Sequence, residues 1–250
     1  MNINRKAMKQ ISGNTLKSIA AFTMLIDHFA AIVIKGYVNG VYAELTPEQL
    51  VLWEKIYDIM RNIGRTAFPL FAFLLVEGFY YTKDRKKYGM RLLLFALLSE
   101  IPYDLAINKA FWSMTRQNTM FTLLFGFLVL LFVEWLGKIL SEYTNGKGRE
   151  LLILTQLLTV AVGGLLAYVC RVDYTWKGIL LIAVFYFFYG YRGAAAVSGF
   201  CVFSSSPWSA PAFLLIPFYN GKRSGKGRGF YLFYPMHLLL LWGTLQILLL

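Results

Sequence analysis

The chain has 250 residues, of which 58% are hydrophobic and 17% aromatic, and only 15% are charged, against about 25% in a soluble domain. Its 25 Lys and Arg outnumber 13 Asp and Glu, for a formal charge of +12. So little charge cannot cover a water-soluble surface, and the high apolar content, the absence of a Gly triplet period and the two Cys exclude a disordered chain, a collagen-like fibre and a disulfide scaffold. The bilayer is the expected solvent, and the positive surplus reads as topology and contact with anionic membrane lipid, not as nucleic-acid binding.

Along the chain, the basic stretch MNINRKAMKQ leads into an apolar run that lacks a small-residue cleavage site, so a retained first span is predicted in place of a signal peptide. Predicted spans follow at about 16–34, 66–82, 90–107, 118–138, 151–170, 175–190, 193–206, 208–219 and 230–250, since a crossing needs about 20 apolar residues. The fold class is therefore all-α: a polytopic transmembrane bundle of about nine spans, one domain over 1–250, with no soluble domain. The stretches 193–206 and 208–219 are short, and a re-entrant pair joined at Ser204 to Pro207 is the alternative for them. Pro47 to Met60 carries Leu50, Trp53, Ile56, Tyr57 and Met60 on one stripe, which predicts an amphipathic helix lying at the interface. With the N-terminus in the cytoplasm, seventeen of the 25 Lys and Arg fall on cytoplasmic segments and eight on the other face, the bias expected of a multi-pass protein of the cytoplasmic (plasma) membrane. Cys170 and Cys201 lie in apolar runs without CxxC spacing and read as small hydrophobes.

Ionisable groups inside a span cost several kcal/mol, about 3 at the centre on insertion scales, so each needs a reason. The two histidines of the chain, His28 and His237, both lie in predicted spans. An imidazole can move a proton near neutral pH, which makes an intramembrane His a candidate general base, and a neutral, hydrogen-bonded core His is the alternative. Lys17 precedes His28 by three helical turns, on the same face and roughly 16 Å away along the axis. Asp27 points to another side of the helix and should pair with a different element. Arg61 and Arg65, four residues apart, form a guanidinium fork suited to phosphate or carboxylate, or snorkel to headgroups. Glu77 should lie near the opposite mouth of the same helix. Glu100 and Asp104 are also four apart around Pro102, placed to bind a substrate amine, relay protons or pair with Arg61, Arg65 or Arg116. The loop YNGKRSGKGRGF, with Lys222 and Arg223, combines positive charge and glycine as a phosphate cradle would, and Tyr234 and His237 follow it on one helix face.

There is no GxxxxGK[ST], GxGxxG, HExxH or GxSxG pattern, and two His with two scattered Cys do not make a metal site. The segments LKSIAAFTMLIDHF, RNIGRTAFPLFAFLLVEGFYYT, LLLFALLSEIPYDLA, NTMFTLLFGF, DYTWKGIL and IPFYNGKRSGKG with FYLFYPMHLLLL, in this order, resemble the TraX family of membrane proteins over nearly the whole chain. That family resembles acetyltransferases, its founding type being associated with N-acetylation of a pilin, and is similar to membrane acyltransferases that modify surface glycans. In that larger group a basic residue, ten residues and a His mark the first span and an R-x-x-x-R pair follows. Here these positions are Lys17, His28, Arg61 and Arg65, with Lys in place of the usual Arg.

The resemblance implies an integral-membrane acyltransferase that takes an acyl group from acetyl-CoA to a protein amine, a glycan or a small molecule. His28, with Asp27, would be catalytic as base or acyl carrier. Lys17, Arg61, Arg65, Lys222, Arg223, Tyr234 and His237 would hold the donor, and Glu77, Glu100, Asp104 and Asn118 the acceptor. The competing expectation is a proton-coupled transporter or flippase using His28, Asp27, Glu100 and Asp104.

Overall fold

A computed structural model of the protein describes residues 11–145, 148–222 and 228–250. Among these, α1 (Gly13–His28) passes through a π-helical segment (Phe29–Ile34) into α2 (Lys35–Gly40), giving one continuous first helix. It is started by Ser12, whose hydroxyl accepts from the Thr15 amide at 3.2 Å. The order continues with α3 (Pro47–Gly64), α4 (Ala67–Tyr81), α5 (Arg85–Tyr103) running into a second π-helical segment (Asp104–Asn108), α6 (Thr119–Tyr143) and α7 (Arg149–Val169). Then come α8 (Thr175–Phe187), α9 (Arg192–Val202), α10 (Ala210–Leu215) and α11 (Arg228–Leu248). No strand forms among the described residues, only isolated bridges. The protein is a helical bundle without a soluble domain. Five of its helical stretches are long and apolar enough to cross a bilayer unaided. At 1.5 Å per residue α8, α9 and α10 are shorter than the roughly 30 Å hydrocarbon layer, so the expected nine crossings stand only as an approximate count.

Two expectations change. The stripe Leu50, Trp53, Ile56, Tyr57 and Met60 is the half-buried face of α3, as its spacing predicted. That face meets protein, however: α3 runs antiparallel along the first helix, with Trp53 edge-on to Tyr37 and Gly64 against Asp27. A capping box of Thr46 and Gln49 starts α3, and a two-residue break at Arg65 and Thr66 joins it to α4. The short legs α9 and α10 form a hairpin that begins and ends near one face, where Arg192 donates to the Tyr219 carbonyl at 2.5 Å. At its far end Phe203 packs on Phe68, with ring centroids 6.0 Å apart.

The face where the first helix begins is fixed by Asn220 donating to the Ile11 carbonyl at 2.9 Å and by Lys17 over the Phe230 ring. At the opposite face Leu245 lies on Gly36 and Leu249 on Gly40, so α11 runs parallel to the first helix. Close approach at glycine is how helices pack in lipid, where apolar burial gives little drive. One core joins α1, α4, α5, α6, α8, α9, α10 and α11, and a smaller one that includes Val129, Val133, Val160, Ala167, Ile179 and Ala183 joins α6, α7 and α8.

Candidate functional site

The first helix turns π-helical immediately after His28, and α5 does so immediately after Tyr103. Such bulges re-aim side chains and recur at functional sites. Both segments line one cavity of about 590 Å³ that opens toward the far face and also receives α3, α4, the 109–119 loop, the start of α8 and the end of α11. His28, Asp27, Arg61 and Arg65 all face it.

His28 meets His237 across 209 residues of sequence, Nδ1 to Nε2 at 2.6 Å with the rings nearly parallel. His237 Nδ1 is 2.8 Å from the Phe233 carbonyl, which can only accept, so this nitrogen donates. In the neutral pair His237 Nε2 must then accept, and His28 Nδ1 donates to it. The lone pair left over is on His28 Nε2. His237, 3% exposed, lines neither this cavity nor the second one described below, and so holds His28 from behind. Phe233 stacks on the other side of His237 at 4.9 Å, and Tyr234 stands edge-on to both imidazoles. The Tyr234 hydroxyl accepts from the Thr119 amide at 3.3 Å, so Tyr234 too is part of the wall behind the site.

The arginine pair does not act as one fork. Arg61 Nη1 bonds Asp27 Oδ2 at 2.5 Å, joining α3 to α1, whereas the Arg65 side chain lines the cavity with no hydrogen bond or ion pair among the described residues. A second ion pair, Arg116 with Asp173, fixes the other wall, and Asp173 also accepts from Thr119 Oγ1 at 2.5 Å. With Lys35 and Lys109 the cavity presents five cations against two carboxylates, a field suited to an anionic group or developing oxyanion. Asp173 was not singled out from the sequence, and its place in DYTWKGIL, directly before an apolar stretch, was the available signal.

The acids of the third predicted span go elsewhere. Asn118, fully buried, caps α6 by accepting from the Met120 amide at 2.9 Å, donates to the Ala96 carbonyl at 2.8 Å and bonds Glu100. Asp104 accepts from Asn108 at 2.6 Å and from the Ser113 amide at 2.7 Å. Neither acid pairs with Arg61, Arg65 or Arg116, and neither lines the cavity. They satisfy backbone and loop donors where the chain re-enters the bundle, a need set by the lack of water there.

Lys17 and Glu77 face a second cavity of about 490 Å³ toward the starting face, between α1, α4, α5 and α11. Lys17 and His28 thus share a helix face but open into different cavities. Lys222 is exposed there, its backbone tied to Gly13 and Asn220, and lines neither cavity. Arg223 lies outside the described residues. No group of His, Cys, Asp or Glu that could hold a metal is found among the described residues.

The chain is similar to a protein of Dichelobacter nodosus described as a probable fimbrial assembly protein FimC, serogroup H1, with 26% identity over 258 aligned residues that cover 90% of this chain and 92% of that one. No solved structure matches it. The sequence pattern of the family described as TraX protein matches residues 12–245, from the cap of the first helix into the last turn of α11, and the chain therefore belongs to the TraX family of multi-pass membrane proteins.

Proposed function

We propose that the protein is an integral-membrane acetyltransferase that moves an acetyl group from acetyl-CoA to an amine or hydroxyl, with its N-terminus in the cytoplasm. The observation that carries this reading is the unshared Nε2 left on His28, a residue lining a cavity in which the Arg65 side chain forms no ion pair within 4 Å among the described residues. His28 Nε2 takes the proton of the acceptor as its nitrogen or oxygen attacks the thioester carbonyl carbon. Arg65 stabilises the oxyanion that forms there. The C–S bond then breaks, the sulfur takes the proton back from the His28 imidazolium, and the products are the acetylated acceptor and coenzyme A. His237 accepts the His28 Nδ1 proton throughout and keeps the ring in the productive tautomer. Asp27 holds Arg61, and through it the α1–α3 wall, without touching the imidazole. The family's association with pilin acetylation, and the relative's with fimbrial assembly, make the amine of a fimbrial subunit the first acceptor to try.

A proton relay of the transporter kind would need a chain of acids leading on from His28. Asp104 is instead occupied by Asn108 and the Ser113 amide, and Glu100 is held by Asn118 through Oε2 alone, its Oε1 having no hydrogen-bond partner among the described residues and neither acid lining either cavity.

The test is acetyl-CoA turnover by purified protein in detergent, wild type against His28→Ala. Loss of at least about a hundredfold is expected, the low end of general acid–base contributions. Turnover that survives the substitution removes His28 from the chemistry.

A further inference from the structure

The second cavity has chemistry of its own. Lys17 and Arg91 stand on its walls, with Tyr88, Tyr231 and Phe230 between them. Among them lies Glu77, 6% exposed, near the Arg192 guanidinium and the Tyr219 hydroxyl, and its Oε2 has no hydrogen-bond partner among the described residues. A buried carboxylate oxygen without a donor is costly and points to a donor that a ligand would bring. The two cavities are also adjacent. Phe71 lines both, and the consecutive residues Thr119 and Met120 line one each.

We propose that this second cavity binds the phosphopantetheine arm of the acyl donor, with phosphate at Lys17 and Arg91, an amide N–H of the arm donating to Glu77, and Phe71 as the septum past which the thioester reaches His28. This rests on the acetyltransferase reading and adds where the donor sits. Length supports it. Lys17 and His28 are eleven residues apart on one helix face, roughly 16 Å along the axis. The arm from phosphorus to sulfur is about a dozen bonds, roughly 15 Å at the reach per bond of an extended backbone. Donor and acceptor would then approach His28 from opposite faces. That reconciles a cytoplasmic donor with a His28 cavity that opens on the far side.

The experiment measures coenzyme A affinity by calorimetry, and acetyl-CoA turnover, on the full-length protein in detergent. Arg91→Gln and Glu77→Leu should each weaken coenzyme A binding by about tenfold or more, as expected for loss of a hydrogen bond to a charged group. Glu77→Gln, which keeps an acceptor, should retain most of the affinity, and so should His28→Ala. Phe71→Trp should leave affinity within about twofold while cutting turnover at least about tenfold, and it decides the matter if the other variants fail to fold. Affinity unchanged in Arg91→Gln and Glu77→Leu but lost in Arg65→Gln would place the donor in the first cavity and overturn this proposal, leaving the acetyltransferase reading intact. Wild type that neither binds coenzyme A nor consumes acetyl-CoA would instead overturn that reading itself, and this one with it.

Discussion

The first helix and α7 are both apolar stretches long enough to cross a bilayer, yet 56% of the most apolar window of the first helix is buried in protein and only 17% of that of α7. α7 turns Leu154, Leu157, Leu158 and Leu165 outward. Two of its threonines, Thr155 and Thr159, are satisfied within the helix, donating to carbonyls one turn back at 2.8 Å. It packs along α6 and α8, closely where residues are small, as at Gly163 against Val129. The first helix instead carries Asp27 and His28 and is surrounded by α3, α4 and α11, each of which supplies a partner or a wall. Lipid can solvate an apolar face but cannot satisfy a carboxylate or an imidazole, so polar chemistry in a membrane forces the helix that bears it into the middle of the bundle.

Substitutions can break that contrast or sharpen it. The largest effect is expected for Arg61→Leu, which leaves the Asp27 carboxylate without its partner and should lower stability by about 3 kcal/mol, read from denaturation in detergent. Asp27→Leu combined with Arg61→Leu should recover much of that loss without restoring turnover, a coupling that a double-mutant cycle measures. Gly64→Ala comes next. Its Cβ would run into Asp27, so about 2 kcal/mol of stability should go, and turnover per folded molecule should fall as well. Gly163→Ala meets Val129 in the same way on the α6–α7 side and should cost a similar amount, yet leave turnover per folded molecule unchanged. Smallest of all are Leu157→Ala and Leu158→Ala on the outer face of α7, expected to change stability by no more than about 0.5 kcal/mol. A large loss of turnover in the α7 variants would show that the two regions are not separable.

The sequence carried the membrane setting because hydropathy and charge are sums over long stretches, which need no tertiary information. Helical spacing also put Lys17 on one face with His28 and Arg61 on one face with Arg65, while the grouping of the arginines with His28 came from the family resemblance. It could not pair residues across the bundle. His237 came out as a donor ligand where the structure has it behind His28, and the Arg61–Asp27 pair splits one apparent fork into an ion-paired Arg61 and an Arg65 that makes no ion pair within 4 Å among the described residues. Glu100 and Asp104 looked like a substrate site because their partners, Asn118, Asn108 and a loop amide, become visible only once the chain re-enters the bundle. The stripe on α3 was legible as a stripe, but amphipathic spacing does not say whether protein or lipid covers it.

The central claim is that His237 leaves His28 with a free Nε2 facing the cavity. Because the chain has only two histidines, ¹⁵N-histidine labelling of the purified protein yields two ring systems and reads the claim directly. The expected spectrum at neutral pH has both rings protonated at Nδ1 and bare at Nε2, with the His28 pattern retained in His237→Gln, whose amide oxygen can still accept. A His28 ring protonated at Nε2 in the wild type would contradict it.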